Sequence, residues 1–169
     1  MRSLGHAAAI WCGWILTGCA LFEPAPVTRQ VHGQLYEGPF IAPEAYAAYL
    51  RGALAEETQR YDEAETAFLE VTRSYGESAE AWTRLGAVRC NRPVPRVRSA
   101  WDAFARAVEA DATFAPALVE RARCARRLGD WRRAWADATH AARLTLDDPL
   151  LRQLLTQLRS ELRPEKPLR

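Results

Sequence analysis

The chain has 169 residues, a length that allows one domain, and 49% of them are apolar, much of that Ala and Leu, which suits a helical fold. Its 23 basic and 21 acidic residues leave a net charge of +2. The two signs alternate along the chain, so charge by itself points to neither nucleic acid nor an anionic membrane surface. Lys166 is the only lysine, and every other cation is arginine.

The first residues read as a leader rather than as part of a fold. Arg2 and the amino terminus form a short positive region, and residues 7–16 form an apolar run too short to span a bilayer as a mature helix. The run ends in Leu16-Thr17-Gly18-Cys19. This stretch resembles the lipobox of bacterial lipoproteins, in which an aliphatic residue and two small ones precede the cysteine that becomes residue one. A thiol sulfur is the nucleophile that accepts a diacylglyceryl group, and small neighbours leave the adjacent bond open to a processing peptidase. The resemblance implies a signal peptide over 1–18 and lipidation at Cys19 with two or three fatty chains such as palmitate. One chain binds a membrane only marginally, whereas two or more hold it stably. Ala20, rather than Asp, follows the cysteine, and by the same resemblance this favours the outer membrane, facing the periplasm.

Residues 19–42 show no helical period and are punctuated by Pro24, Pro26, Gly33, Gly38 and Pro39. They read as a lipid-anchored tether reaching up to about 75 Å when extended. Leu35, Tyr36, Phe40 and Ile41 are too apolar for a pure linker, so part of this stretch is expected to pack on the first helices. His32 stands alone and reads as solvated or packed rather than as a ligand.

From Pro43 the pattern turns helical. Pro43 suits a first helical turn, and helices are expected over 43–59 and 61–74. Ser78 is placed to cap a helix through Trp82, Leu85 and Val88, and another is expected over 97–110. The next stretch, 116–143, divides at Leu128-Gly129-Asp130-Trp131. There Gly129 ends one helix in the left-handed conformation and Asp130 caps the next. Asp147-Asp148-Pro149 restarts the chain with a cap and a helix-opening proline, Leu150, Leu151, Leu154, Leu155, Leu158 and Leu162 form one stripe at helical spacing, and Pro164 stops it.

These helices come as copies of one unit. Trp82, Leu85 and Gly86 form W-x2-L-G, and Ala100 and Phe104 supply the following A-x3-F. Gly52 to Gly86, Ala100 to Ala134 and Phe104 to Ala138 each span 34 residues, while Gly86 to Ala122 spans 36. Two extra residues therefore lie in Asn91-Arg92-Pro93-Val94-Pro95-Arg96, whose prolines cannot sit inside a helix. The pattern resembles the tetratricopeptide repeat, a 34-residue helix–turn–helix unit. It departs at Arg89, where the family prefers Tyr, and at Ala138, where it prefers Phe.

The resemblance implies an all-α, short right-handed α-solenoid over 43–163. Its hairpins fall at 45–78, 79–114 and 115–148, with a capping helix over 149–163 and a tail over 164–169. It also implies a groove lined by the first helix of each hairpin at i, i+3, i+7 and i+10. That face is Tyr46, Tyr49, Ala53 and Glu56, then Glu80, Thr83, Ala87 and Cys90, then Pro116, Val119, Arg123 and Arg126. It runs from aromatic and acidic to basic, with Arg121 and Arg127 expected near the basic end.

Catalytic patterns are missing: there is no H-E-x-x-H, no Gly-rich phosphate loop and no G-x-S-x-G. Cys90, Cys124 and His140 lack close ligand spacing, so neither metal nor cofactor is expected. Trp82, Trp101, Trp131 and Trp135 fall on or beside packing positions and read as core. Cys90 and Cys124 sit two residues out of step on neighbouring helices expected at about 8–10 Å, and are expected as free, packed thiols. The reading is a non-catalytic envelope lipoprotein, an adaptor or assembly factor for protein partners, with no nucleic acid and no small-molecule substrate. The alternatives are an activating subunit of a peptidoglycan enzyme and a structural envelope tether.

Overall fold

The computed structural model describes residues 27–31, 34–38, 41–145 and 148–162. The leader, Cys19, the start of the tether, His32 and the tail over 164–169 lie outside the described residues. The chain forms two compact units, 1–40 and 41–169.

In the first unit, β1 (Val27–Val31) and β2 (Gln34–Gly38) pair antiparallel, from Val27 opposite Gly38 to Val31 opposite Gln34. The expected irregular tether thus contains a β-hairpin. Its signal lay in β-branched Val27, Thr28 and Val31, with Leu35 and Tyr36 four and five residues after Val31. A search for helical period alone passes over such a segment.

The second unit is all-α. Its helices are α1 (Pro43–Glu57), α2 (Tyr61–Ser74), α3 (Ala79–Asn91), α4 (Val97–Ala110), α5 (Ala115–Arg127), α6 (Trp131–Leu144) and α7 (Pro149–Glu161). They form three antiparallel hairpins stacked in chain order, and α7 packs on α6. Ser78 accepts from Ala81 N at 3.2 Å, Asp130 from Arg133 N at 3.0 Å, and Asp148 from Leu150 N at 2.8 Å, so each caps the helix it precedes. Gly129 adopts φ 78°, and Gln59 takes the same left-handed turn at φ 59° in the first hairpin.

Inside each hairpin the closest approach is set by one facing pair. A Cβ on Gly52 would lie 2.9 Å from the Phe68 ring, and one on Gly86 would lie 2.8 Å from that of Phe104. In the third hairpin, fully buried Ala122 and Ala138 stand at these positions. The volume lost from Phe is partly returned by the Cβ that Gly lacks, which accounts for the departure at Ala138. Trp82, Trp101, Trp131 and Trp135 pack against the core clusters but stay half-buried. Trp82 keeps its indole N–H on the Gly76 carbonyl at 2.7 Å.

Two different ties join successive hairpins. Between the first and second, buried Glu65 of α2 accepts from Arg89 Nε at 2.9 Å, Arg92 Nη1 at 3.1 Å and Arg96 Nη1 at 2.9 Å. Arg92 also reaches Asp62 at 2.7 Å, and Arg89 donates to the Ser99 carbonyl at 3.0 Å. The turn over 92–96 is longer than those over 58–60 and 128–130, and it brings Arg92 and Arg96 to Glu65. Arg89 therefore stands in a tyrosine position because a buried carboxylate faces it.

Between the second and third hairpins, Cys90 and Cys124 form a disulfide with Cα atoms 5.9 Å apart. This overturns the expectation of free thiols. Axes about 8–10 Å apart carry Cα atoms about 2.3 Å out on each facing side. Facing Cα atoms are thus about 5 Å apart. A two-residue stagger adds about 3 Å of rise, and the resultant, about 6 Å, lies within bonding reach.

Candidate protein-binding face

The first helices of the hairpins, α1, α3 and α5, share a surface that continues onto α7. Tyr49 of α1 donates its hydroxyl to Glu80 of α3. Burial, and then the Glu80 carboxylate, push the Tyr49 phenol far up. One helical turn or more along the same surface, Glu56 of α1 pairs with Arg84 of α3 at 3.2 Å. Burial raises the Glu56 carboxyl above its usual range; Arg84 opposes the shift and Glu120 of α5 adds to it. Arg123 in turn donates to Glu120 at 2.6 Å. Tyr49, Glu80, Glu56, Arg84, Glu120 and Arg123 therefore form a polar track across three helices. Glu56 Oε2 and Arg84 Nε are buried with no hydrogen-bond partner of good geometry, so this pair is held by charge more than by aligned bonds.

At the far end, Arg123 and Arg126 of α5 face Leu150, Gln153, Leu154 and Gln157 of α7 around a depression of about 140 Å³. Among the described residues Arg126 has no acidic partner, and Leu150 is 62% exposed beside it. A guanidinium with all its donors free, next to an exposed apolar side chain, suits a carboxylate with a small apolar neighbour.

The predicted groove residues do not all reach this surface. Tyr46 is exposed, Glu80 and Arg123 are exposed but paired within the track, and Val119 is half-buried against the core. Thr83 is buried and donates its hydroxyl to the Ala79 carbonyl at 2.7 Å, which makes it floor rather than contact. Cys90 is likewise buried, in the disulfide. Arg121 is not at the basic end: it is bidentate to buried Asp137 of α6 at 2.8 and 2.7 Å. Arg127 donates to the Asn91 carbonyl at 3.0 Å. Sequence spacing missed Arg84, Glu120 and the α7 glutamines. The first two are one turn beyond Glu80 and Pro116, and the need of Glu56 for a counter-charge was their only signal.

Among the described residues no group of three His, Cys, Asp or Glu side chains is placed to hold a metal ion. No family model matches the sequence, and no curated protein does. Solved structures do match. The tetratricopeptide-repeat domain of Arabidopsis OM64 aligns with TM-score 0.62 at 18% identity, over 70% of this chain and 97% of that one.

The helical unit has the tetratricopeptide-repeat fold.

The second such domain of human RPAP3, solved with the HSP70 peptide SGPTIEEVD, aligns at TM-score 0.59 and 15% identity, over 69% of this chain and 95% of that one. The Yersinia enterocolitica type III secretion chaperone SycD, solved with a peptide of the translocator YopD, aligns at 0.56 and 17%, over 72% and 92%. The repeat units read from W-x2-L-G and the 34-residue spacing are the stacked hairpins of this fold.

Proposed function

We propose that this chain is a non-catalytic adaptor, lipid-anchored in a bacterial envelope, which receives an extended segment of a partner protein across α1, α3, α5 and α7. The observation that carries the reading is the polar track on that face, ending beside exposed Leu150 in Arg126, which has no acidic partner among the described residues. Repeat stacks present long surfaces of this kind without a reaction pocket. Two neighbours of the same fold were solved with peptides, which supports a peptide as the occupant here. An acidic segment or a C-terminal carboxylate suits the Arg126 end. Arg123 is partly neutralised by Glu120, so Arg126 supplies more of that contact. Envelope placement rests on the Leu16–Cys19 motif, and the Cys90–Cys124 bond supports it, because such bonds persist in oxidising compartments.

Crosslinking in intact cells followed by mass spectrometry identifies the partner. With that partner, Arg126→Ala is expected to weaken binding about tenfold or more, and Arg123→Ala less, while the helical circular-dichroism signal is kept. Unchanged affinity in folded Arg126→Ala rejects the basic-end contact. For the anchor, an alkyne fatty acid is expected to label the wild type and not Cys19→Ser; an unlabelled, soluble wild type rejects it.

A further inference from the structure

Across the second and third hairpins, folding separates charges that alternate in the sequence. The turns within hairpins lie along one edge of the stack: Cys90 is bonded to Cys124, Arg127 reaches the Asn91 carbonyl, and Arg133 lies 4.8 Å from the centre of the Trp101 ring. In the first hairpin this edge carries Glu57, Asp62 and Glu63 against Arg60, with Glu63 paired to Arg60 and Asp62 to Arg92. In the second it carries Arg89, Arg92, Arg96 and Arg98 with no acid between them along the chain. In the third it carries Arg126, Arg127, Arg132 and Arg133 against Asp130 alone. The opposite edge, where one hairpin joins the next, mixes Arg73, Glu77, Glu109, Asp111, Arg143 and Asp148.

Some of these arginines serve the fold. Arg89, Arg92 and Arg96 serve Glu65, and Arg133 pairs with Asp130 at 3.5 Å. Arg98 and Arg132 are exposed and have no acidic partner among the described residues, and Arg127 is exposed with one donor on the Asn91 carbonyl. Apolar side chains project between them. Val94 is 80% exposed at the tip of the 92–96 turn, and Leu128 is 37% exposed on the neighbouring one. Pro93 and Pro95 restrict the Val94 backbone. Both ends of its turn are pinned, by the guanidinium groups on Glu65 and by Arg96 N on the Arg89 carbonyl at 2.9 Å.

We propose that this edge, over the second and third hairpins, docks on an anionic phospholipid surface, with the free guanidinium groups on headgroup phosphates and Val94 and Leu128 at the level of the acyl boundary. Guanidinium forks match phosphate oxygens, and a basic residue near an anionic leaflet strengthens association by about fivefold. The exposed apolar tips select a lipid interface over an acidic polymer, because a polymer's charge leaves them in water. Arg98, Arg132, Val94 and Leu128 lie outside the residues assigned to the face of α1, α3, α5 and α7, so a protein partner and the bilayer can be held together.

The test is flotation of the full chain with vesicles of phosphatidylcholine alone or containing phosphatidylglycerol. Neutral vesicles report whatever the apolar N-terminal run contributes by itself. The excess on anionic vesicles is expected to be at least several-fold, to fall as sodium chloride is raised, and to vanish in Arg98→Glu/Arg132→Glu. Val94→Asp, whose side chain is already in solvent, is expected to remove most of it while the circular-dichroism signal stays. Equal binding to both vesicles, or an excess that survives the arginine reversals, overturns the proposal. An excess lost with the arginines but untouched by Val94→Asp also overturns it, in favour of an acidic macromolecule.

Discussion

Between the first and second hairpins the tie is one buried carboxylate surrounded by three guanidinium groups; between the second and third it is one covalent bond. Both join neighbouring units of the same fold, yet they act on different states of the chain. The Glu65 cluster exists only in the folded state and must overcome the desolvation of its charges. It also depends on the long 92–96 turn, without which Arg92 and Arg96 would not reach it. The disulfide acts largely by restricting the unfolded chain and depends on an oxidising compartment instead. The stack therefore has one joint that responds to side-chain charge and another that responds to redox state.

Of the two joints, the covalent one is expected to show the larger effect. Closing a loop with a separation of 34 residues stabilises by about 4 kcal/mol in the chain-entropy estimate. Cys90→Ala/Cys124→Ala is expected to lose about that much in urea unfolding, and a reductant is expected to affect the wild type alone. Reaction of both thiols with an alkylating agent in unreduced, denatured wild type would remove the covalent joint from the comparison.

Breaking the ionic joint comes next. Glu65→Ala leaves Arg89 and Arg92 largely buried without their acceptor, and losses of about 3 kcal/mol follow from such uncompensated charge. Arg96 is half-exposed, so Arg96→Ala is expected to cost well under 1 kcal/mol. Equal losses in the two variants would show that burial of the charge does not govern this joint.

Within the hairpins the comparison is sharpened by converting one packing solution into the other. Phe104→Ala is expected to cost about 3–5 kcal/mol through the cavity it leaves, and Gly86→Ala alone about 1–3 kcal/mol through overpacking. Together they recreate the Ala122/Ala138 pairing of the third hairpin. A favourable coupling of about 2 kcal/mol is expected from the double-mutant cycle; additive losses would mean that the pair does not set the spacing.

The smallest effect concerns Glu56, which also bridges the first junction through Arg84. Its carboxyl is raised in the folded state by burial, so between the ordinary carboxylate range and that raised value the folded chain holds more protons than the unfolded one. Stability attributable to Glu56 is therefore greatest on the acid side and declines as pH rises through that window. Glu56→Gln is expected to flatten this part of the pH dependence, read from urea midpoints across acidic pH. A slope identical to wild type would show that another group carries it.

Local rules made much of this protein legible. The helices followed from apolar spacing and from Ser78, Asp130 and Asp148 at their starts, and the repeat unit followed from the spacing of glycines and aromatic residues. The two-residue insertion was visible as well, because prolines cannot continue a helix. Less of the binding face could be read. Spacing placed Tyr49, Glu56, Glu80 and Arg123 on one surface, but it also chose Thr83, which is buried, and passed over Arg84 and Glu120. Side-chain direction and burial depend on the neighbouring helix, which periodicity within one helix does not contain.

What the sequence by itself determined is the set of helices, their grouping into hairpins and the position of the irregular turn. Each depends on residues close along the chain, whose conformational preferences act over a few positions. Only the tertiary structure decided that Cys90 meets Cys124, that Arg121 is committed to Asp137, and that Glu65 gathers arginines from both a helix and a turn. It also decided that alternating charges become a basic edge across the second and third hairpins. Those outcomes depend on distances between helices of about 10 Å and less, where a stagger of two residues or the replacement of Phe by Ala changes which groups touch.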